Sequence, residues 1–267
     1  MASGLIAMPS APTQLIVRNI TKSFPGKAEA VRVLDDLSFS INERDFVSII
    51  GPSGCGKTTI FNIIAGLLEP DSGTLHYRGE EIDSLRGRVG YMMQKDLLFP
   101  WRTVLGNVLL GLEMRGVDRA EAEAKACAYL KDFGLAGFEN AYPKTLSGGM
   151  RQRVALIRTL IMDPDILLLD EPFSALDYQT RLYLEGVLKD AVETYHKTVI
   201  LVTHDIDEAV ALSKRVVVLS GRPARVKIVH DIEIAATSPI AARSDSAFSG
   251  YFHALCAELD IQTEKTA

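Results

Sequence analysis

This sequence predicts an α/β fold built on a mainly parallel sheet. Three observations carry that expectation. Short, nearly continuous apolar runs recur at 46–50 (FVSII), 166–169 (ILLL), 199–202 (VILV) and 216–219 (VVVL). Such runs suit strands buried on both faces. Helical stretches separate them, as crossover connections require. A glycine-rich loop, 51–58, sits between the first run and a helical stretch.

Taken in order, residues 1–13 read as a flexible tail, because they lack a basic start followed by a long apolar stretch. Residues 15–24 read as a strand. Leu37, Phe39 and Ile41 alternate with polar residues, the pattern of a half-buried strand. The helical stretch after the loop covers 59–68, and residues 89–93 form a strand that ends at Gln94. The Ala-, Glu- and Lys-rich run 119–133 predicts a mostly exposed helix inside a helical insertion of about 97–160. Val226, Ile228, Ile232 and Ile234 alternate with polar residues, which predicts a late strand over 224–234. One domain over 14–235 follows, with a short helix and a polar tail in 236–267.

Composition narrows the function. The chain has 267 residues, 47% hydrophobic and 24% charged, with a formal net charge of -5. An acidic balance disfavours nucleic acid, whose backbone needs a basic surface. No apolar run reaches the ~20 residues that a membrane-spanning helix needs. Cys55, Cys127 and Cys256 are far apart and show no paired metal-ligand spacing, which suits a reducing cytoplasm.

The loop GPSGCGKT fits G-x-x-x-x-G-K-[ST] in the strand–loop–helix setting that this motif needs. Gly51, Gly54 and Gly56 let the backbone curl until successive N–H groups face one centre, with Pro52, Ser53 and Cys55 between them. The following helix adds its positive end. Lys57 supplies a point charge for β- and γ-phosphates, Thr58 a hydroxyl for Mg2+, and Thr59 a contact to the α-phosphate. Cys55 reads as a small space-filler.

In DILLLDE (165–171), a buried strand delivers Asp170 to the C-terminal sheet edge, where α/β sheets place ligand chemistry. Asp170 is the candidate to hold Mg2+ through water, and Glu171 to polarise an attacking water. His204, at the end of TVILVTH, is placed to contact the γ-phosphate and Glu171. Gln94 offers a neutral amide to Mg2+ or water.

LSGGM (146–150) with RQRVALIRTL, DEP at 170–172, SALD at 174–177 and THD at 203–205 follow the loop and Gln94 in order. With them, the chain resembles the ABC transporter ATP-binding subunit family over about 15–235. The resemblance implies a P-loop NTPase (RecA-like) core with a mainly parallel sheet, an antiparallel β subdomain and an inserted α-helical subdomain. It implies an ATPase using ATP and Mg2+, with catalytic Lys57, Glu171 and His204. It also implies a head-to-tail pair of copies, in which Ser147, Gly148 and Gly149 of one approach the phosphate held by the other. Asp177 would lie at that seam. Met150 stands where Gln is commoner. Phe24 either stacks on adenine or packs in a core or turn.

Further partners follow from the resemblance: integral membrane permease subunits and, indirectly, a periplasmic or lipid-anchored solute-binding protein. The place implied is the cytoplasmic side of the inner membrane, held peripherally. LLFPW (97–101) is either a permease-docking patch around the single Trp101 or a small local core. LLFPWRTVLGNV and SALDYQTR look like the nitrate/sulfonate/taurine importer branch. The alternative is a soluble ABC-type ATPase with a regulatory role. A binding-only switch is disfavoured, because Lys57, Asp170, Glu171 and His204 are all present.

Overall fold

The structure, a computed structural model, describes residues 12–27 and 29–261. The expected tail over 1–13 lies almost wholly outside these residues, as does the end of the chain from 262. Two sheets organise the rest.

The smaller sheet is antiparallel. It contains β1 (Thr13–Phe24), β2 (Val31–Asn42), β4 (Ser72–Tyr77) and β5 (Glu80–Ile82), in the order β2-β1-β4-β5. Leu15, Val17 and Ile20 of β1 and Leu37, Phe39 and Ile41 of β2 are buried, so one face lies on the core. The larger sheet contains β3 (Phe46–Ile50), β6 (Val89–Met92), β7 (Ile166–Asp170), β8 (Thr198–Val202), β9 (Arg215–Leu219) and β10 (Val226–Asp231). Its order is β10-β9-β3-β8-β7-β6, parallel except for β10, which runs antiparallel to β9.

The apolar runs are explained by burial on both faces. Ile166 and Leu168 pack with Ile200 and Val202 on the side of α1 (Lys57–Ile64) and the small sheet. Leu167 and Leu169 pack with Val199 and Leu201 on the opposite side. Successive residues thus alternate between two cores, as the strand period of two requires. The second core also takes α2 (Val104–Met114), α3 (Arg119–Asp132), α4 (Gly148–Leu160) and α5 (Tyr178–Thr194). A third cluster joins β9 to α6 (Ile206–Leu212), α7 (Pro239–Arg243) and α8 (Phe248–Glu258).

Several expected boundaries move. The helix after the loop begins at Lys57 and ends at Ile64, because Gly66, at φ +72, leaves the helical region. β6 ends at Met92 and β8 at Val202, so Gln94 and His204 lie in the loops just beyond their strands. α3 is not merely an exposed helix: Ala122, Ala126, Tyr129 and Leu130 form a buried stripe at helical spacing. Asp118 caps it by accepting from the N–H groups of Ala120 and Glu121 at 3.0 and 3.1 Å. Among the described residues two helices, not one, follow β10. Among the described residues no helix is long and apolar enough to cross a membrane.

Candidate functional site

The strand β3 runs straight into the loop 51–56, which turns into α1. Gly56 sits at φ +130, and a Cβ there would come within 2.8 Å of Leu34 Cδ2, so only glycine fits both backbone and space. Lys57 is 7% exposed, and its ammonium donates to the carbonyls of Gly51 (2.8 Å) and Pro52 (3.1 Å). Those two bonds hold the charge over the loop. The Cys55 side chain is buried in the core beneath, and its N–H donates to Pro52 O at 3.2 Å. Its side chain therefore fills space and faces away from any ligand.

A cavity of about 670 Å³ opens beside the loop. Ser53, Gly54, Gly56, Lys57, Thr58 and Thr59 form its base. Phe24, Pro25, Val31 and Val33 form an apolar wall, and Gln94 and Glu171 close the far side. The Phe24 ring is half-buried on the small-sheet core, with Lys22 Nζ 5.9 Å from its centroid. It packs on the core and also lines the cavity.

The parallel register brings the acidic residues to the same edge. Asp170 ends β7 opposite Val202 of β8. Thr58 Oγ1 donates to Asp170 Oδ2 at 3.1 Å, and the Tyr91 hydroxyl lies 3.4 Å from the same oxygen. Burial pushes the Asp170 carboxyl above the ordinary range; the Thr58 hydrogen bond opposes this and the neighbouring Glu171 charge adds to it. Burial, reinforced by Asp170, also raises Tyr91.

Glu171 has φ +47, the left-handed region that non-glycine residues seldom occupy. Its N–H donates to Val202 O at 2.8 Å, which fixes that turn. Glu171 Oε2 accepts from Gln94 Nε2 at 3.0 Å and lies 3.3 Å from His204 Nδ1. Three loops, after β6, β7 and β8, thus converge on one carboxylate. On either side of His204, Thr203 donates to the buried Glu208, and Asp205 caps α6 by accepting from Glu208 N at 3.2 Å.

The donors suit a hard, oxygen-seeking cation: the Thr58 hydroxyl, the buried Asp170 carboxylate and the Gln94 amide oxygen, left free by the Nε2 bond to Glu171. Mg2+ prefers such a sparse oxygen set, completed by phosphate and water. Among the described residues no group of three or more His, Cys, Asp and Glu could cage a metal alone.

Ser147, Gly148 and Gly149 do not join this cavity. Ser147 caps α4, accepting from Met150 N at 3.3 Å, and with Gly149 lines a separate hollow beside Thr180. A Cβ on Gly149 would meet Thr180 Cγ2 at 2.5 Å, so glycine here permits close packing of α4 on α5. Asp177 caps α5, accepting from Thr180 N at 3.0 Å.

Sequence reasoning missed Tyr91, Asn62 and Arg222. Tyr91 lies between Asn62 and Asp170, and Arg222 donates to the Gly54 carbonyl at the cavity rim. Tyr91 had one local signal, its place one residue before the end of β6. A lone Arg far along the chain had none.

Trp101 is 71% exposed and stacks on Phe99 with centroids 5.1 Å apart. Leu97 beside it is also exposed, whereas Leu98 turns inward.

A glycine-rich loop at the C-terminal edge of a parallel sheet, with a seated lysine and an acidic pair, defines a phosphate-binding α/β nucleotide protein. Comparison with known proteins narrows the class. The ABC transporter family model matches residues 34–174. The ABC transporter ATP-binding protein YtlC of Bacillus subtilis is 44% identical over 248 residues, 92% of this chain and 95% of its own. The aliphatic sulfonates import ATP-binding protein SsuB of Bacillus cereus is 42% identical over 216 residues, 80% of this chain and 85% of its own. The taurine import ATP-binding protein TauB of Rhizobium johnstonii is 45% identical over 203 residues, 76% of this chain and 78% of its own. Among solved structures, the dimeric post-hydrolysis state of the cassette MJ0796 with ADP and Pi superposes with TM-score 0.73 at 33% identity, over 82% of this chain and 99% of that one. The chain belongs to the ABC transporter family, as an ATP-binding subunit with the family's P-loop ATPase fold and ATP-hydrolysing activity.

Proposed function

We propose that this chain energises an importer for a small organic sulfonate such as taurine or an alkanesulfonate, hydrolysing Mg-ATP at the cytoplasmic face of the membrane. The observation that carries the ATPase part is the meeting of Gln94, Glu171 and His204 beside Lys57. The cargo part rests on relatives named for aliphatic sulfonate and taurine import.

In this reading residues 14–235 form the ATP-binding domain. The loop N–H groups and Lys57 hold the β- and γ-phosphates, and Phe24 takes the adenine. Thr58, Asp170 and Gln94 hold Mg2+, which neutralises phosphate charge when bound. Glu171 accepts a proton from the attacking water as its oxygen bonds to the γ-phosphorus. The bond from that phosphorus to the bridging oxygen breaks, leaving ADP and phosphate. His204 orients Glu171 and contacts the γ-phosphate.

The distance of Ser147 from this cavity supports a two-chain site. A second copy, head to tail, brings its own Ser147, Gly148 and Gly149 to the nucleotide, and the dimeric neighbour MJ0796 supports the pairing. The helices of about 97–160 carry the exposed Trp101 patch toward a permease, which in turn meets a solute-binding protein outside.

The test of cargo is a deletion strain grown with taurine, alkanesulfonates, nitrate or pyrimidine precursors as sole source or supplement. Loss of growth confined to sulfonates is the expected result. Normal growth on every sulfonate with failure on nitrate or pyrimidine precursors sinks this cargo assignment.

A further inference from the structure

A second cavity lies at the opposite edge of the larger sheet. Its volume is about 560 Å³, within the ~300–1,000 Å³ range of small-molecule sites. It is reached where β3, β8 and β9 begin, whereas the phosphate loop follows the end of β3. β3 is five residues long, so roughly 15 Å of sheet separates the two cavities at about 3.3 Å per residue.

The floor is apolar. Phe46, Val192, Leu212 and Ile232 are buried there, at the seam between the second core and the third cluster. The rim is basic. Arg44, Lys189, Lys197 and Lys214 line it against a single carboxylate, Glu193, on a chain whose formal net charge is -5. Two of the cations are already committed: Lys197 pairs with Asp163, and Lys189 Nζ donates to Ala236 O at 2.7 Å. Arg44 and Lys214 have no acidic partner among the described residues. The Arg44 backbone is nonetheless anchored, its N–H donating to Thr198 Oγ1 at 2.8 Å and its carbonyl lying 3.4 Å from Lys214 Nζ. The turn therefore presents both cations at the mouth with no carboxylate paired to either, Lys214 holding only its long bond to the Arg44 carbonyl.

We propose that this cavity binds a small amphipathic organic anion, with a carboxylate or sulfonate head between Arg44 and Lys214 and an aliphatic body on the apolar floor. A desolvated anion next to two cations without carboxylate partners gains charge-assisted hydrogen bonds, and its chain covers the part-exposed apolar lining at Ile234 and Ala236 above the buried floor. A neutral molecule of the same shape gains only the second. The bound body packs on Leu212, at the C-terminal end of the helix whose capping residue, Asp205, follows His204. The proposal is independent of the cargo assigned above.

The experiment is calorimetric titration of the full chain, with ADP saturating the phosphate loop, using hexanesulfonate, hexanoate and hexanol. Saturable binding of both anions is expected, with hexanol at least tenfold weaker. Arg44→Glu/Lys214→Glu should weaken both anions at least tenfold while leaving ADP affinity and Tm unchanged. Ala235→Trp, which fills the cavity from its exposed wall without changing charge, should weaken them as much. Equal affinity for hexanol and hexanesulfonate, or unchanged anion binding in both variants, overturns the proposal. So does binding to phosphatidylglycerol vesicles that hexanesulfonate displaces, because the site is then a lipid headgroup site.

Discussion

Glu171→Gln is the substitution on which the site assignment turns. It exchanges one carboxylate oxygen for an amide of nearly the same shape. The backbone strain at φ +47 and the N–H bond to Val202 O are properties of the main chain and persist. The lost element is the negative oxygen that now lies 3.0 Å from Gln94 Nε2 and 3.3 Å from His204 Nδ1. A positioned base contributes about 10²–10⁴-fold, which corresponds to about 3–5 kcal/mol of barrier at ~1.4 kcal/mol per tenfold. Phosphate release at saturating Mg-ATP should fall by that factor, while nucleotide affinity measured in parallel stays within about threefold, since a base acts on the transition state. Size-exclusion chromatography with ATP should show an accumulated dimer. Turnover at the wild-type rate would refute the base assignment. Loss of nucleotide binding in step with turnover would refute it equally, because Glu171 would then be a binding or folding residue.

Other predictions concern neighbouring features. Phe24→Ala removes a stacking surface worth about 1 kcal/mol or more, so ATP affinity should fall at least about fivefold in equilibrium binding; an unchanged Kd would confine Phe24 to the core. Trp101→Ala should reduce co-purification of the permease severalfold, and because the ring is exposed, stability should stay within about 0.5 kcal/mol; an undiminished pull-down removes the docking role. Glu208 is buried beside Thr203, and burial raises its carboxyl from 4.5 to about 8. A carboxyl raised by folding is favourable when protonated, and that stability is lost as pH climbs from the unfolded value through the folded one. Glu208→Gln should therefore gain up to several kcal/mol over the wild type at pH 8, at about 1.4 kcal/mol per pH unit, and nothing near pH 4.5. Thermal melts at both values decide this, and a Tm difference independent of pH would be against it.

The legible parts of this fold were those coded by contiguous residues. FVSII reads as β3 because a strand covered on both faces favours apolar residues almost throughout, and its one polar side chain, Ser48, is paired with Ser213. β4 and β5 were not legible. β5 has three residues, and β4 buries only Leu75 and Tyr77, so neither carries enough alternation to stand out. The buried stripe of α3 was hidden for a similar reason: two of its four buried residues are alanines, which look alike on either face. Strand ends were overestimated at Gln94 and His204, because polar residues just beyond a buried strand continue its direction without its pairing.

By itself the sequence determined the course of the phosphate loop. Curling N–H groups, a lysine and a hydroxyl are all supplied by one stretch of chain, 51–59, whose backbone freedom is set by its own glycines. It also named candidates for the chemistry, though not Tyr91, Asn62 or Arg222. Only the tertiary structure decided that Gln94, Glu171 and His204 meet, that Tyr91 and Thr58 share one Asp170 oxygen, and that Ser147 stands apart in the same chain. Those outcomes depend on strand order and register. Neighbouring β6, β7 and β8, paired in parallel, end at one edge, and no spacing along the chain encodes which edges become neighbours.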